Sequence, residues 1–211
     1  MGRGHLDPDP DYCRLGRRLI FRRAARIGAL VTLTFGLAYA TLTGAGLICR
    51  HDLIYLFDPQ PFEPQHIGLP RAHVVVLPDG PAIWRVSPHP GNPVILYFMG
   101  TAGNLERMAP PFQDFPLPRY GLIAMTYRGG GGVQGTPTES TLKADAIRVW
   151  RALDNLAPGT KRVIFGVSLG SGIATWLASE VDGEVGVVLE TPFTRLCDAI
   201  RNAVPVPACT V

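Results

Sequence analysis

The sequence predicts an α/β fold, a mostly parallel sheet with helices on both faces, preceded by one transmembrane helix. Three observations predict it. Short apolar, β-branched runs alternate with helical patterns between residues 72 and 203, as in repeated strand–helix units. One run, Arg162 to Val167, turns at once into a helix through Gly166-Val167-Ser168-Leu169-Gly170, a Gly-x-Ser-x-Gly corner. Finally, Ile27 to Cys49 is a stretch of 23 residues without a charge.

That uncharged stretch reaches about 34 Å as a helix, enough to cross a bilayer's hydrocarbon core. Residues 1–26 carry seven arginines against three aspartates, a net charge of +4, whereas residues 50–211 sum to −1. The overall +3 is therefore a topology signal and gives no reason to expect nucleic-acid binding. The positive-inside rule puts the N-terminus in the cytoplasm and the rest of the chain beyond the membrane. A cleaved signal peptide ending at Ala38-Tyr39-Ala40 is the rival reading, but the arm and the apolar run are both long for one. The expected organisation is a cytoplasmic Arg-rich arm (1–26), a transmembrane helix (27–49), a linker (50–71) and an α/β domain (72–211). Four scattered cysteines, Cys13, Cys49, Cys197 and Cys209, suggest neither a zinc site nor a disulfide framework.

After the anchor, His51 to Pro70 holds four prolines and no clear period, which reads as a linker along the membrane surface. Ala72–Leu77 and Ala82–Ser87 flank Pro78-Asp79-Gly80 and read as a hairpin. Val94–Phe98 is a buried strand, with a helix expected from near Asn104 and interrupted by Pro110 and Pro111. Gly121–Tyr127 is the next strand, followed by a glycine-rich loop. Thr141–Leu156 places Leu142, Ala146, Val149, Leu153 and Leu156 on one helical face. The serine strand and its helix follow, then a strand at Val185–Leu189 and the start of a helix at Arg195–Asn202.

The serine corner carries the chemistry. A nucleophilic serine at a strand-to-helix turn lifts its hydroxyl above the sheet, and the crowding there leaves no room for a Cβ at Gly166 or Gly170. The following amide, Leu169, opens the helix and is placed to stabilise an oxyanion. The plain alternative is a glycine-rich helix start with Ser168 as an ordinary N-cap. Gly130-x-Gly132-x-x-Gly135 formally matches a dinucleotide fingerprint, but Pro137 and Thr138 delay the helix past the last glycine, so no helix N-terminus meets a pyrophosphate. His5, His51, His66, His73 and His89 all precede Ser168 and show no metal-ligand spacing. Glu190 and Asp198 follow Ser168, but no histidine follows for either to orient.

Residues 72–203 together resemble the α/β-hydrolase superfamily, in the membrane-anchored branch similar to acyl-protein thioesterases and lysophospholipase-like serine esterases. Met99-Gly100-Thr101-Ala102-Gly103-Asn104 stands where that family usually reads His-Gly-x-x-Gly-Asn. Tyr127-Arg128-Gly129 leads through the glycine loop to Thr136-Pro137-Thr138-Glu139 and a helix with Asp145. Phe165-Gly166-Val167-Ser168-Leu169-Gly170 is followed by Leu189-Glu190-Thr191-Pro192-Phe193-Thr194. The resemblance implies an α/β-hydrolase fold stopping after about the sixth strand. Ser168 is its nucleophile, and the amides of Leu169 and Thr101 form the oxyanion hole. The substrate is a small-molecule or lipid-like acyl ester or thioester, with no metal or organic cofactor. The family's triad Asp and His are not found in the chain. The expectation is therefore an incomplete hydrolase with little or no turnover as it stands. The alternative is a non-catalytic membrane-tethered remnant or binding module.

Overall fold

The computed structural model describes residues 10–196 except Cys49, Phe62, Gly68, Pro70, Asp79, Asn104 and residues 106–118. The chain divides into an N-terminal unit, through Cys49, and a second unit spanning Arg50–Pro205.

Helix α1, Pro10–Ile48, makes up the N-terminal unit. Proline suits a helix's first position because the missing N–H is one that would have no intrahelical acceptor. The helix begins well before Ile27, so much of the expected arginine arm is helical; arginine is a good helix former and nothing in the stretch breaks the pattern. The window Arg22–Ala45 has a mean hydropathy of 1.5 and is the one helix among the described residues long and apolar enough to cross a membrane. Its large side chains are bare, Phe35 at 73% and Leu42 at 72% exposure. Its threonines turn inward on their own helix: Thr32 donates to Gly28 O at 3.0 Å, Thr41 to Leu37 O at 2.8 Å and Thr43 to Tyr39 O at 2.7 Å. Such back-bonding leaves these hydroxyls satisfied within the helix, as a bilayer interior would require.

The second unit is built on a six-stranded sheet. Strands β2 (His73–Val76), β3 (Ala82–Val86), β4 (Val94–Phe98), β6 (Gly121–Met125), β7 (Arg162–Val167) and β8 (Gly186–Glu190) lie in the order β2-β3-β6-β4-β7-β8. The β2–β3 and β3–β6 pairs are antiparallel, whereas β6, β4, β7 and β8 run parallel. The sheet is thus mostly parallel and opens with the expected hairpin. Strands β4 and β6 are buried at every position, which is why both read as unbroken apolar runs.

Helix α3 (Glu139–Leu156) is capped by Thr138, whose hydroxyl accepts from Thr141 N at 3.1 Å while Thr141 Oγ1 accepts from Thr138 N at 2.8 Å. This reciprocal box closes two helix-terminal donors. The face toward the sheet buries Leu142, Ala146, Val149 and Leu153, as the spacing predicts, and also Asp145. Helix α4 (Leu169–Glu180) follows β7 directly and packs beside α3. Strand β8 is the edge neighbour of β7 and is exposed along its length.

Residues 50–71, expected as a linker on the membrane surface, instead carry short elements seated on the domain. These are α2 (Arg50–Ile54), β1 (Leu56–Phe57) and a 3₁₀ turn at Pro64–Ile67. β1 pairs in parallel with β5 (Ala102–Gly103). The helix expected from Asn104 lies outside the described residues, as does the one at Arg195–Asn202 beyond Leu196.

Candidate active site

Ser168 stands between the last residue of β7 and the first of α4. Its backbone is at φ 48°, ψ −116°. This is the first central position of a type II′ turn, a conformation that glycine adopts freely and a residue with a Cβ does not. Holding serine there costs of order 1–3 kcal/mol and persists only where the surroundings impose it. The corner is fixed from three sides. Ser168 N donates to Glu190 O at 2.9 Å, and Ser168 O accepts from Ser171 N at 2.8 Å and from Ser171 Oγ at 2.6 Å. Ser171 is buried; the sequence reading missed its role, although a serine three residues into a helix is a recognisable partner for the turn carbonyl. Among the described residues the Ser168 hydroxyl makes no capping bond, so the N-cap alternative is not what the corner is built for.

The flanking glycines are required by close approach. A Cβ on Gly166 would meet Gly170 O at 2.4 Å, and one on Gly170 would meet Phe98 O at 2.1 Å and Met99 O at 2.6 Å. The second contact puts the end of β4 and Met99 against the start of α4 at Gly170.

Met99 stands where the resembled family has a histidine bracing this loop, and other groups brace it here. Tyr127 is fully buried and its hydroxyl donates to Met99 O at 2.8 Å. Burial pushes its pKa well above the ordinary tyrosine value, so it stays a neutral donor. The Thr101 hydroxyl donates to Ile54 O. The Phe57 ring packs on Tyr127 at a centroid distance of 4.9 Å.

The glycine-rich loop is held by the same segment. Gly131 N donates to Asp58 O at 2.7 Å and Gly132 N to Pro59 O at 3.0 Å. Gly130 has room for no side chain, since a Cβ there would meet Phe57 Cβ at 2.8 Å. At the root of the loop Arg128 grips Asp145 with two bonds, Nε to Oδ2 at 2.7 Å and Nη2 to Oδ1 at 2.8 Å, and Arg148 adds a third at 3.0 Å. The hydrogen bonds from Arg128 to Asp145 raise the guanidinium's pKa further.

Among the described side chains, none of His51, His73 and His89 is paired with Ser168; the side chains of His5 and His66 lie outside those described. His51 Nε2 lies 2.7 Å from Pro137 O and Nδ1 lies 3.2 Å from Asp52. His89 is near Arg71. His73 is on β2, four strands from β7, or about 19 Å at ordinary strand spacing. Glu190 contributes its carbonyl to the serine corner, while Asp198 lies outside the described residues. Among the described residues no cluster could hold a metal ion.

Sheet order and serine corner define an α/β-hydrolase architecture. An α/β hydrolase from Vibrio vulnificus superposes with a TM-score of 0.53 at 20% identity, over 65% of this chain and 54% of that one. No protein-family model matches. In sequence, the chain is 30% identical over 118 residues to protein bem46 of Schizosaccharomyces pombe, covering 54% of this chain and 40% of bem46. It is 33% identical over 116 residues to lysophosphatidylserine lipase ABHD12 of Xenopus tropicalis, covering 52% and 30%. The matched stretch spans less than half the length of these relatives. The chain fits the α/β-hydrolase superfamily, carrying part of the fold.

Proposed function

We propose that this chain is the serine-bearing part of a membrane-anchored hydrolase acting on an ester or thioester of a lipid-like acyl substrate. The observation that carries the reading is the backbone of Ser168, held in a glycine conformation at the C-terminal end of a parallel strand. Structures retain such strain where a side chain must be aimed, and the C-terminal ends of parallel strands are where α/β sheets bind ligands. Similarity to ABHD12, a lysophosphatidylserine lipase, supports a lipid-like substrate.

In this mechanism the Ser168 hydroxyl attacks the acyl carbonyl. The oxyanion of the tetrahedral intermediate accepts from the amides of Leu169 and Thr101. Its collapse expels the alcohol or thiol, and water then hydrolyses the acyl-serine. A general base takes the hydroxyl proton, and none of His51, His73 and His89 is placed to be that base. Loss of a triad member costs roughly 10⁴- to 10⁶-fold in rate. The second reading, a non-catalytic binding module, draws on the same observation that Ser168 has no described base.

The test uses the full 211-residue chain in lipid nanodiscs with a fluorophosphonate probe. Slow labelling that disappears in Ser168→Ala supports the nucleophile. Labelling that survives Ser168→Ala refutes it, and no labelling even when a longer homologous C-terminal segment is added in trans favours the binding module. The arginine asymmetry around residues 27–49 supports a cytoplasmic N-terminus with the hydrolase unit beyond the membrane. A reporter fluorescent only in the cytoplasm, fused after Val211, should stay dark; a bright fusion reverses that topology.

A further inference from the structure

In sequence, Cys49 alone separates α1 from α2, so the chain leaving the apolar helix enters the second unit at once as Arg50–Ile54. A helix of five residues leaves its last carbonyls without intrahelical partners. The carbonyl of Ile54, its final residue, accepts from the hydroxyl of Thr101. Just beyond, Leu56 pairs with Ala102 and Phe57 with Gly103. The same run is fixed at two further places. His51 Nε2 lies 2.7 Å from Pro137 O, ahead of α3. The carbonyls of Asp58 and Pro59 accept from Gly131 and Gly132 of the glycine-rich loop. The loop after β4 is thus clamped at both ends. Its Met99 end is held by the Tyr127 hydroxyl, 2.8 Å from Met99 O, and its Thr101 end by Ile54. Gly100 lies between the clamps and has no side chain to lodge the peptide by packing. The direction of the Thr101 N–H is therefore set by what holds the two ends.

We infer that Arg50–Pro59 is a positioning strap for the oxyanion hole, in which the bond from the Thr101 hydroxyl to Ile54 O aims the Thr101 amide and His51 on Pro137 keeps the strap seated. Thr101 then serves twice, its amide as the oxyanion donor and its side chain as a positioning group. The inference rests on the reading of Ser168 as the nucleophile and of the Thr101 amide as a donor to its oxyanion. A misdirected donor acts as a missing one, and loss of one oxyanion donor costs about 10²–10³ in rate. A loosened loop that still visits the right geometry loses part of that factor. Valine matches threonine in shape and lacks the donor, so Thr101→Val opens the clamp on one side while the Tyr127 bond stays.

The test uses the full 211-residue chain in lipid nanodiscs with two readouts. One is the rate at which a fluorophosphonate labels Ser168, and the other is amide hydrogen exchange across residues 99–103 by mass spectrometry. Thr101→Val should slow labelling by roughly tenfold or more. It should also speed exchange at 99–103 by roughly tenfold while β4 keeps its protection, since the opening is local. Thr101→Ser keeps the hydroxyl and should stay within about threefold of the parent in both readouts. His51→Ala frees the far end of the strap and should speed exchange at 99–103 by about threefold or more. A bond that served stability alone would leave the folded Thr101→Val protein labelling at the parent rate. That result, unchanged exchange at 99–103 in Thr101→Val, or failure of Thr101→Ser to restore both readouts each overturns the strap. If Thr101→Val does not fold, His51→Ala decides, and parental exchange there overturns it. If the parent itself does not label, the nucleophile reading fails, while the exchange results need no chemistry at Ser168 and still decide whether the strap holds the loop.

Discussion

Replacing Ser168 by glycine should make the protein more stable, and the geometry sets the size of the effect. At φ 48°, ψ −116° the Cβ is held in a region that costs about 1–3 kcal/mol, and glycine occupies it without that cost. Against this, glycine adds about 0.4–1 kcal/mol of unfolded-state entropy. The net gain is about 0–2.6 kcal/mol, or roughly 0–10 °C in melting temperature for a chain of this size. Ser168→Ala keeps the Cβ and therefore the strain. It removes only a hydroxyl without a described capping bond, so it should stay within about 0.5 kcal/mol of the parent. Urea unfolding followed by tryptophan fluorescence reads the right unit, because Trp84, Trp150 and Trp176 all lie within Arg50–Pro205. The comparison that decides is glycine against alanine. If Ser168→Gly is no more stable than Ser168→Ala, the corner is not strained, and the argument that strain aims this serine fails.

The parts of this structure that could be read from the sequence are those whose physics is local. Strands β4 and β6 are buried throughout, so their residues are apolar without alternation and stand out from their flanks. The glycines of the serine corner are spaced by a steric rule, and the contacts a Cβ would make at Gly166 and Gly170 are that rule in atomic form. Asp145 could be noted but not placed: a carboxylate on an otherwise amphipathic helix reads as solvated unless its partner is known, and Arg128 is 17 residues away. The segment after the membrane helix was the least legible. β1 has two residues and no periodicity; it is held by pairing with β5, and the residues just after it, Asp58 and Pro59, by carbonyls that accept from Gly131 and Gly132. Nothing within residues 50–61 encodes those partners. The brace on Met99 was hidden for the same reason, since Tyr127 reads as the end of a strand until the fold brings its hydroxyl to that carbonyl.

Three further outcomes follow from the same geometry. Gly170→Ala forces a Cβ against the carbonyls of Phe98 and Met99, and should cost about 1–3 kcal/mol or more by urea unfolding; an unchanged midpoint would mean that the loop after β4 does not sit on α4. Asp145→Asn removes a buried carboxylate, 1% exposed, that bonds Arg128 twice and Arg148 once, and should cost about 1–3 kcal/mol by the same assay, against a loss under about 0.5 kcal/mol if the pair were merely superficial. The last outcome concerns His51. Its pKa is raised above 6.5, first by the hydrogen bond to Asp52 and then by the bond to Pro137 O. A protonated ring can donate at both nitrogens, to the carboxylate and to the carbonyl, whereas a neutral ring can donate to only one of them. The folded state therefore holds the proton more tightly than the unfolded chain does. The stabilisation is complete below the unfolded value of 6.5 and is lost as pH rises through the higher folded value. The ring-proton titration of His51 by NMR should have its midpoint above 6.5, and Asp52→Asn should lower it. A parent midpoint at or below 6.5, unmoved by Asp52→Asn, would show that the ring does not bridge α2 to the loop at Pro137.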